Sequence, residues 1–244
     1  MTLPNEAPLQ KLQFYVTTPY KCGYLPQKLA QSLIASPHTL VTTQVYSGLI
    51  QQGFRRSGKF AYRPHCEQCR ACIPVRIVLE TFAPSRSQKR AMKQHATLSV
   101  RALPLAFYAE HYALYQAYQL ARHQDSETAD ADALDGPDQY RQFLCQSNVE
   151  SLMIEFSDAN GVVMVSVVDI VQDGISAVYT FYDTHQPKNS YGTYSILWLC
   201  EWAKTLSLPY LYLGYWIAES PKMAYKHRFN PQQMLIDGEW VEHT

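Results

Sequence analysis

The chain has 244 residues, enough for one large domain or two small ones with a hydrophobic core. At 47% hydrophobic and 17% charged residues it reads as globular, which excludes a disordered protein. A formal net charge of zero argues against a protein that coats nucleic acid everywhere, yet it averages two unlike segments: residues 55–101 carry eleven bases against two acids, a balance of +9, and residues 124–173 carry eleven acids against Arg141 alone, −10. A basic lobe attracts polyanions through counterion release, while the acidic remainder limits indiscriminate binding; the bland alternative is two solvated faces. No apolar run approaches the roughly 20 residues a membrane helix needs. The polar opening Met1-Thr-Leu-Pro-Asn-Glu makes no secretory leader, so a cytoplasmic location is expected.

Residues 12–16 read as a strand leading into a turn at Cys22. Helical spacing over 41–52 stops at Gly53. Phe54-Arg-Arg56 and Lys59-Phe-Ala-Tyr62 read as a hairpin about Ser57-Gly58. A strand is expected over 74–79, a capped helix with a basic face from Ser85, and a strand over 97–101. The next helix is expected to bury one face bearing Tyr108, Tyr112, Tyr115 and Leu120. The acidic stretch 124–138 reads as an exposed connection or lid. Strands over 151–156, 162–170 and 175–182 are separated by Asn160-Gly161 and Asp173-Gly174 turns. A helix from Gly192-Thr193 to about Leu206 then precedes a strand over 210–215.

Six cysteines are present. Cys66, Cys69 and Cys72 have two residues between successive members, so a turn can direct their sulfurs at one ion, and Cys22 is the candidate fourth thiolate with His65 as a substitute. In a cytoplasmic chain this spacing favours metal over disulfide chemistry, with zinc and an iron–sulfur cluster both open. Cys145 and Cys200 read as core residues.

Strand, strand, strand, helix, strand is the order at the heart of the acetyltransferase-like (GNAT-like) α+β fold. The expected organisation is a basic, cysteine-bearing N-terminal domain over 1–103 and an acetyltransferase-like domain over 104–244. The coenzyme A signature Gln/Arg-x-x-Gly-x-Gly is missing, which leaves the fold open to another activated acyl donor.

Several strings resemble the bacterial aminoacyl-tRNA–protein transferases, the aspartate/glutamate leucyltransferase branch related to the arginyltransferases. They are Cys22-Gly-Tyr-Leu-Pro, Gly53-Phe-Arg-Arg-Ser-Gly58, Tyr62-Arg-Pro-His-Cys-Glu-Gln-Cys-Arg-Ala-Cys72-Ile-Pro-Val-Arg76, Ser85-Arg-Ser-Gln-Lys-Arg90, Leu211-Tyr-Leu-Gly-Tyr-Trp-Ile217 and Lys222-Met-Ala-Tyr-Lys226. The resemblance covers nearly the whole chain. It implies transfer of leucine from leucyl-tRNA to the α-amine of proteins beginning with Asp or Glu, in the N-end rule of protein degradation. It also implies an iron–sulfur cluster on the cysteines, as in arginyltransferase relatives. Relatives there carry Cys-Gly-Tyr-Cys, whereas this chain has Leu25 at the last place. An arginyl donor, and a metal-stapled RNA-binding module without catalysis, are the alternatives.

An aminoacyl ester is already activated, so the main task is positioning, with a general base as an aid. Asp169 and Tyr179 are the candidates beside the amine. The acceptor's carboxylate calls for a planar cationic fork, for which Arg56, Arg76 and Arg86 are candidates. Lys89, Arg90 and Lys93 share a helical face suited to tRNA phosphates. Tyr191, Tyr194, Tyr215 and Trp216, with Lys222 and Lys226, offer aromatic surfaces and cations for the tRNA's terminal bases. For each of these, ordinary packing or a solvated surface is the bland alternative.

Overall fold

The computed structural model describes residues 11–123, 136–186 and 189–243. Most of the expected acidic connection, 124–135, lies outside the described residues.

Strand β1 (Gln13–Val16), the short strands β2 (Tyr20–Lys21) and β3 (Leu29–Ala30), and β4 (Ser32–Ser36) precede helix α1 (Thr43–Gln51). Thr42 caps α1 by accepting from the Val45 amide, and the chain leaves it through Gly53 at φ +82°. Strands β5 (Arg55–Ser57) and β6 (Phe60–Pro64) form the expected hairpin. Ser57 pairs with Phe60, so Gly58 and Lys59 make the turn, one residue later than expected. With β1 and β4 they build a four-stranded sheet in the order β1-β4-β6-β5.

Strand β7 (Ile73–Val78), helix α2 (Arg86–Gln94) and strand β8 (Ser99–Pro104) follow. A full capping box opens α2, the Ser85 amide donating back to Gln88 Oε1 at 2.8 Å. Helix α3 (Ala109–His123) buries His111, Tyr115 and Tyr118, a spacing of four and three. The expected face is corrected at Leu120, which is exposed, because five residues carry it about 140° around the helix from Tyr115. Helix α4 (Pro137–Leu144) then leads to β9 (Ser151–Asp158), β10 (Gly161–Val171), β11 (Gly174–Tyr182), α5 (Tyr191–Thr205) and β12 (Tyr210–Trp216). A 3-10 helix over Pro221–Arg228 precedes the hairpin β13 (Gln232–Ile236) and β14 (Glu239–His243).

The molecule is mixed α/β around one large sheet, ordered β14-β13-β7-β12-β11-β10-β9-β8. Strand β7 lies between β13 and β12, and β8 runs across residues 103 and 104, so the expected boundary there falls inside a strand of this sheet. Every pairing is antiparallel except β11 with β12, and α5 is the crossover that a parallel pair requires. One face packs Val75, Ile77, Ile175 and Leu211 against Ile196, Leu199, Cys200 and Ala203 of α5. The other is covered by α1 at one end, through Tyr46, Leu49 and Ile50, and by Tyr115 and Tyr140 of α3 and α4 at the other. No described helix is long and apolar enough to cross a membrane.

Candidate active site

Strands β11 and β12 are in register only over Gly174–Ser176 and Tyr210–Tyr212. Beyond that the two strands are unpaired, and each carries an irregularity. The β10–β11 register shifts so that Val178 has no opposite residue, and the β12–β7 register shifts so that Leu213 has none. Such bulges bend a strand and free a backbone group from the ladder.

The freed Val178 carbonyl accepts from Arg55 Nη2 at 3.0 Å. On the β12 side Gly214 sits at φ +73°, and a Cβ there would lie 2.5 Å from the Arg55 guanidinium carbon. Only glycine leaves the arginine its place. The guanidinium also lies 5.6 Å from the centre of the Tyr215 ring. Tyr62, Tyr24, Tyr215 and Tyr46 surround it closely enough to favour its charged form against burial. Lys226 is buried nearby, donates to the Tyr215 carbonyl, and is held well below the ordinary lysine range by burial first and by Arg55 second. A small, partly open cavity of about 10 Å³ is lined by Arg55, Ser176 and Gly214 among others. An open one of about 420 Å³, lined by Arg63, His65, Arg70, Cys72 and Tyr215, shares Gly53 and Pro74 with it.

The residues singled out in the sequence are distributed differently. Arg56 is corrected as a carboxylate reader: its Nε and Nη2 grip Asp169 at 2.7–2.9 Å, and Nη1 donates to the carbonyls of Gly58 and Gln146 at 2.8 and 3.1 Å. Four of its five donors are used, and both partners are buried. Asp169 is corrected as a base for the same reason, since it also accepts from Ser151 Oγ at 2.6 Å and has no exposed surface. Tyr179 packs against Phe143 and Phe181, with its hydroxyl donating to Gln119 at 3.4 Å, on the α3 side of the sheet.

Arg76 is buried as the filling of a sandwich, 3.6 Å from the Tyr210 ring and 4.2 Å from Trp240. It donates to Gln233, Gln51 and Tyr212 at 2.9–3.1 Å. This network fixes β7 against β13 and α1 and corrects Arg76 as well. Arg86 is exposed at the start of α2, where it joins Lys89, Arg90 and Lys93 on one basic face at spacings of three, one and three.

Three of the four aromatic candidates are buried. Tyr191 and Tyr194 are buried around His95, at ring distances of 4.6 and 5.1 Å. Tyr215 is buried, its hydroxyl donating to the Gly53 carbonyl at 2.8 Å. Lys226 likewise is buried and not a surface cation, whereas Lys222 is exposed. Trp216 keeps a surface face and stacks with His227 at 5.9 Å, beside His243 at 6.5 Å. Sequence reasoning missed both histidines and Arg55; alternation along β5 was the available signal for the arginine, since it turns neighbouring side chains to opposite faces.

The cysteine strings do meet. The Cys22 amide donates to the Lys28 carbonyl at 3.0 Å, and Lys28 Nζ lies 3.8 Å from Cys69 Sγ. Burial, then the neighbouring Cys22, Cys66 and Cys69, push the Cys72 thiol up to about 12. Four thiols in one neighbourhood fit a soft metal by donor type, although among the described residues no three donors are drawn to metal-bonding spacing. His65 is exposed and lines the larger cavity.

The chain matches two family models, described as Arginine-tRNA-protein transferase, N terminus, over residues 20–90, and Arginine-tRNA-protein transferase, C terminus, over residues 110–236. It belongs to the arginine-tRNA-protein transferase family, and is a transferase. It is similar to the Aspartate/glutamate leucyltransferase of Methylobacillus flagellatus, 65% identical across 98% of this chain and 95% of that one. The protein of the same name from Thiobacillus denitrificans is 53% identical across 97% of each chain. Among solved structures, L-PGS from Bacillus licheniformis aligns over 60% of this chain and 47% of its own, at 12% identity and a TM-score of 0.43, too loose a likeness to carry an argument.

Proposed function

We propose that the protein transfers leucine from leucyl-tRNA to the α-amine of proteins beginning with Asp or Glu, and so gives them a destabilising N-terminus in the cytoplasm. The observation that carries this reading is the end-to-end likeness to relatives named for that activity, at 65% identity over 98% of the chain. The geometry suits it. An acetyltransferase-like core, β9 to β12 with α5, opens between its parallel strands, and the opening is cationic.

The amine nitrogen attacks the ester carbonyl of leucyl-tRNA. A C–N bond forms, the C–O bond to the tRNA ribose breaks, and the amine's proton ends on the ribose oxygen. With a reference pKa of about 7.7–8.0, the amine is already partly neutral near pH 7. Holding the two reactants together then accounts for most of the acceleration, and no protein nucleophile is needed. The α2 face of Arg86, Lys89, Arg90 and Lys93 grips phosphate, and Trp216 with His227 offers a stacking surface near Lys222 for an unpaired base.

Cys22, Cys66, Cys69 and Cys72 would hold an iron–sulfur cluster or a zinc ion, which fastens the N-terminal turns. Iron and zinc content of anaerobically purified protein distinguishes the two, and absence of both leaves the cysteines as thiols. The reaction is tested with purified protein, labelled leucyl- and arginyl-tRNA offered side by side, and peptides beginning with Asp, Glu or Asn. Leucine should enter the acidic peptides alone. Arginine incorporation in its place, or tRNA binding without transfer, overturns the reading.

A further inference from the structure

We propose that Arg55 reads the side-chain carboxylate of the acceptor's first residue, an assignment that rests on the transferase reading above. Choosing Asp or Glu over Asn or Gln requires a cation that is partly withdrawn from water, has donors to spare, and is not already neutralised. Most arginines of the basic lobe fail one of these conditions. Arg56 is closed on Asp169. Arg76 is sandwiched between rings and bonded to two glutamines and a tyrosine. Arg70 donates to the carbonyls of Cys66 and Cys69, and Arg101 to Glu155. Arg86 and Arg90 stand in solvent.

Arg55 meets all three. It is half-buried, and among the described residues a single protein hydrogen bond, from Nη2 to Val178, holds its guanidinium. No carboxylate of the described residues pairs with it. Its cationic neighbour is Lys226, whose charged form burial and Arg55 both disfavour, so the charge left for an acceptor carboxylate to balance is that of Arg55 itself. The chain has also cleared space for it: Gly214 gives up a side chain at φ +73°, and the bulge at Val178 supplies the anchoring carbonyl. Because the anchor uses one edge of the planar fork, the remaining donors stay available for a carboxylate.

The small, partly open space beside the guanidinium is about 10 Å³, room for one water-sized group such as a carboxylate oxygen. Tyr215, whose ring lies beside Arg55, also lines the open 420 Å³ cavity, a volume sufficient for the end of a polypeptide.

The test compares kcat/KM for Asp-, Glu- and Asn-initiated peptides in wild-type protein and in Arg55→Gln, together with the Kd for leucyl-tRNA. Arg55→Gln should lower kcat/KM for the acidic peptides on the order of 10²-fold, bring the Asp-to-Asn ratio towards one, and leave tRNA affinity unchanged. Arg55→Lys keeps the charge without the fork and should recover part of the loss. An unaltered Asp-to-Asn ratio overturns the assignment. So does a loss of tRNA affinity with the acceptor KM intact, which would give the guanidinium to phosphate. Wild-type protein that transfers to no acidic peptide would instead refute the function itself.

A readout independent of these variants' folding uses wild-type protein with ¹⁵N-labelled arginine. An Asp-initiated peptide should shift an arginine Nε–H resonance that relaxes as a half-buried group, and an Asn-initiated peptide should leave it in place. Equal response to both peptides, or none, counts against Arg55.

Discussion

Arg55 and Arg56 are adjacent on β5, and the regions they enter have opposite characters. Arg56 points into a closed clamp, where Asp169, Gly58 and Gln146 absorb its donors. Arg55 points into the split between β11 and β12, where one carbonyl holds it. The two side chains leave a strand on opposite faces, so identical chemistry meets unlike surroundings one residue apart. A buried ion pair does little for chemistry because its charge is spent internally. A cation with spare donors keeps its charge for a ligand.

The sharpest way to break this contrast is to open the clamp. Arg56→Ala should cost about 3–5 kcal/mol, because it leaves Asp169 buried and unpaired, and urea unfolding measures it. Replacing both partners, as Arg56→Met with Asp169→Leu, should cost less than the single change. A loss under about 1 kcal/mol for Arg56→Ala would mean that the pair is not structural. Next comes the turn that supplies the clamp's carbonyl. Gly58 sits at φ +57°, and a Cβ would come 2.3 Å from the backbone oxygen of Gln142, which cannot swing aside. Gly58→Ala should therefore cost about 1–3 kcal/mol, seen in the same urea curves.

A second buried acid sharpens the comparison through pH. Burial alone would raise the Glu155 carboxyl, but hydrogen bonds from His111 and Arg101 outweigh it and hold the group below the usual glutamate value of 4.5. A depressed carboxylate stabilises the fold above its unfolded value, and that contribution is lost as pH falls through the folded value. Glu155→Gln should thus cost about 1 kcal/mol at pH 7. The gap between its melting curve and that of wild type should close as pH drops below 4.5. A gap that persists in acid would show that the charge is not what matters. The smallest effect is expected at the exposed Arg141–Asp138 pair on α4, where Asp138→Asn should change stability by no more than about 0.5 kcal/mol in the same assay.

Much of the β9–β12 region was legible because its strands are apolar runs rich in β-branched residues and its turns are spelled Asn160-Gly161 and Asp173-Gly174. The capped start of α2 was legible for the same kind of local reason, a Ser85–Gln88 box. The β13–β14 hairpin was missed although Asp237-Gly238 marks it, with both residues at positive φ as a tight hairpin turn prefers. The placement of β7 between β12 and β13 carried no local mark. It depends on pairing partners more than 130 positions away, such as Tyr212 opposite Arg76.

The candidate site divided along the same line. By itself the sequence determined the element types, the clustering of positive charge over 55–101, the cysteine spacing and the family resemblance, because each is written in neighbouring residues. Which arginine is closed and which is open was decided only by the tertiary structure. Arg56 finds Asp169 across 113 positions, and Arg55 finds Gly214 across a far longer span. A side chain's availability is set by what the fold brings against it, and spacing along the chain does not encode that.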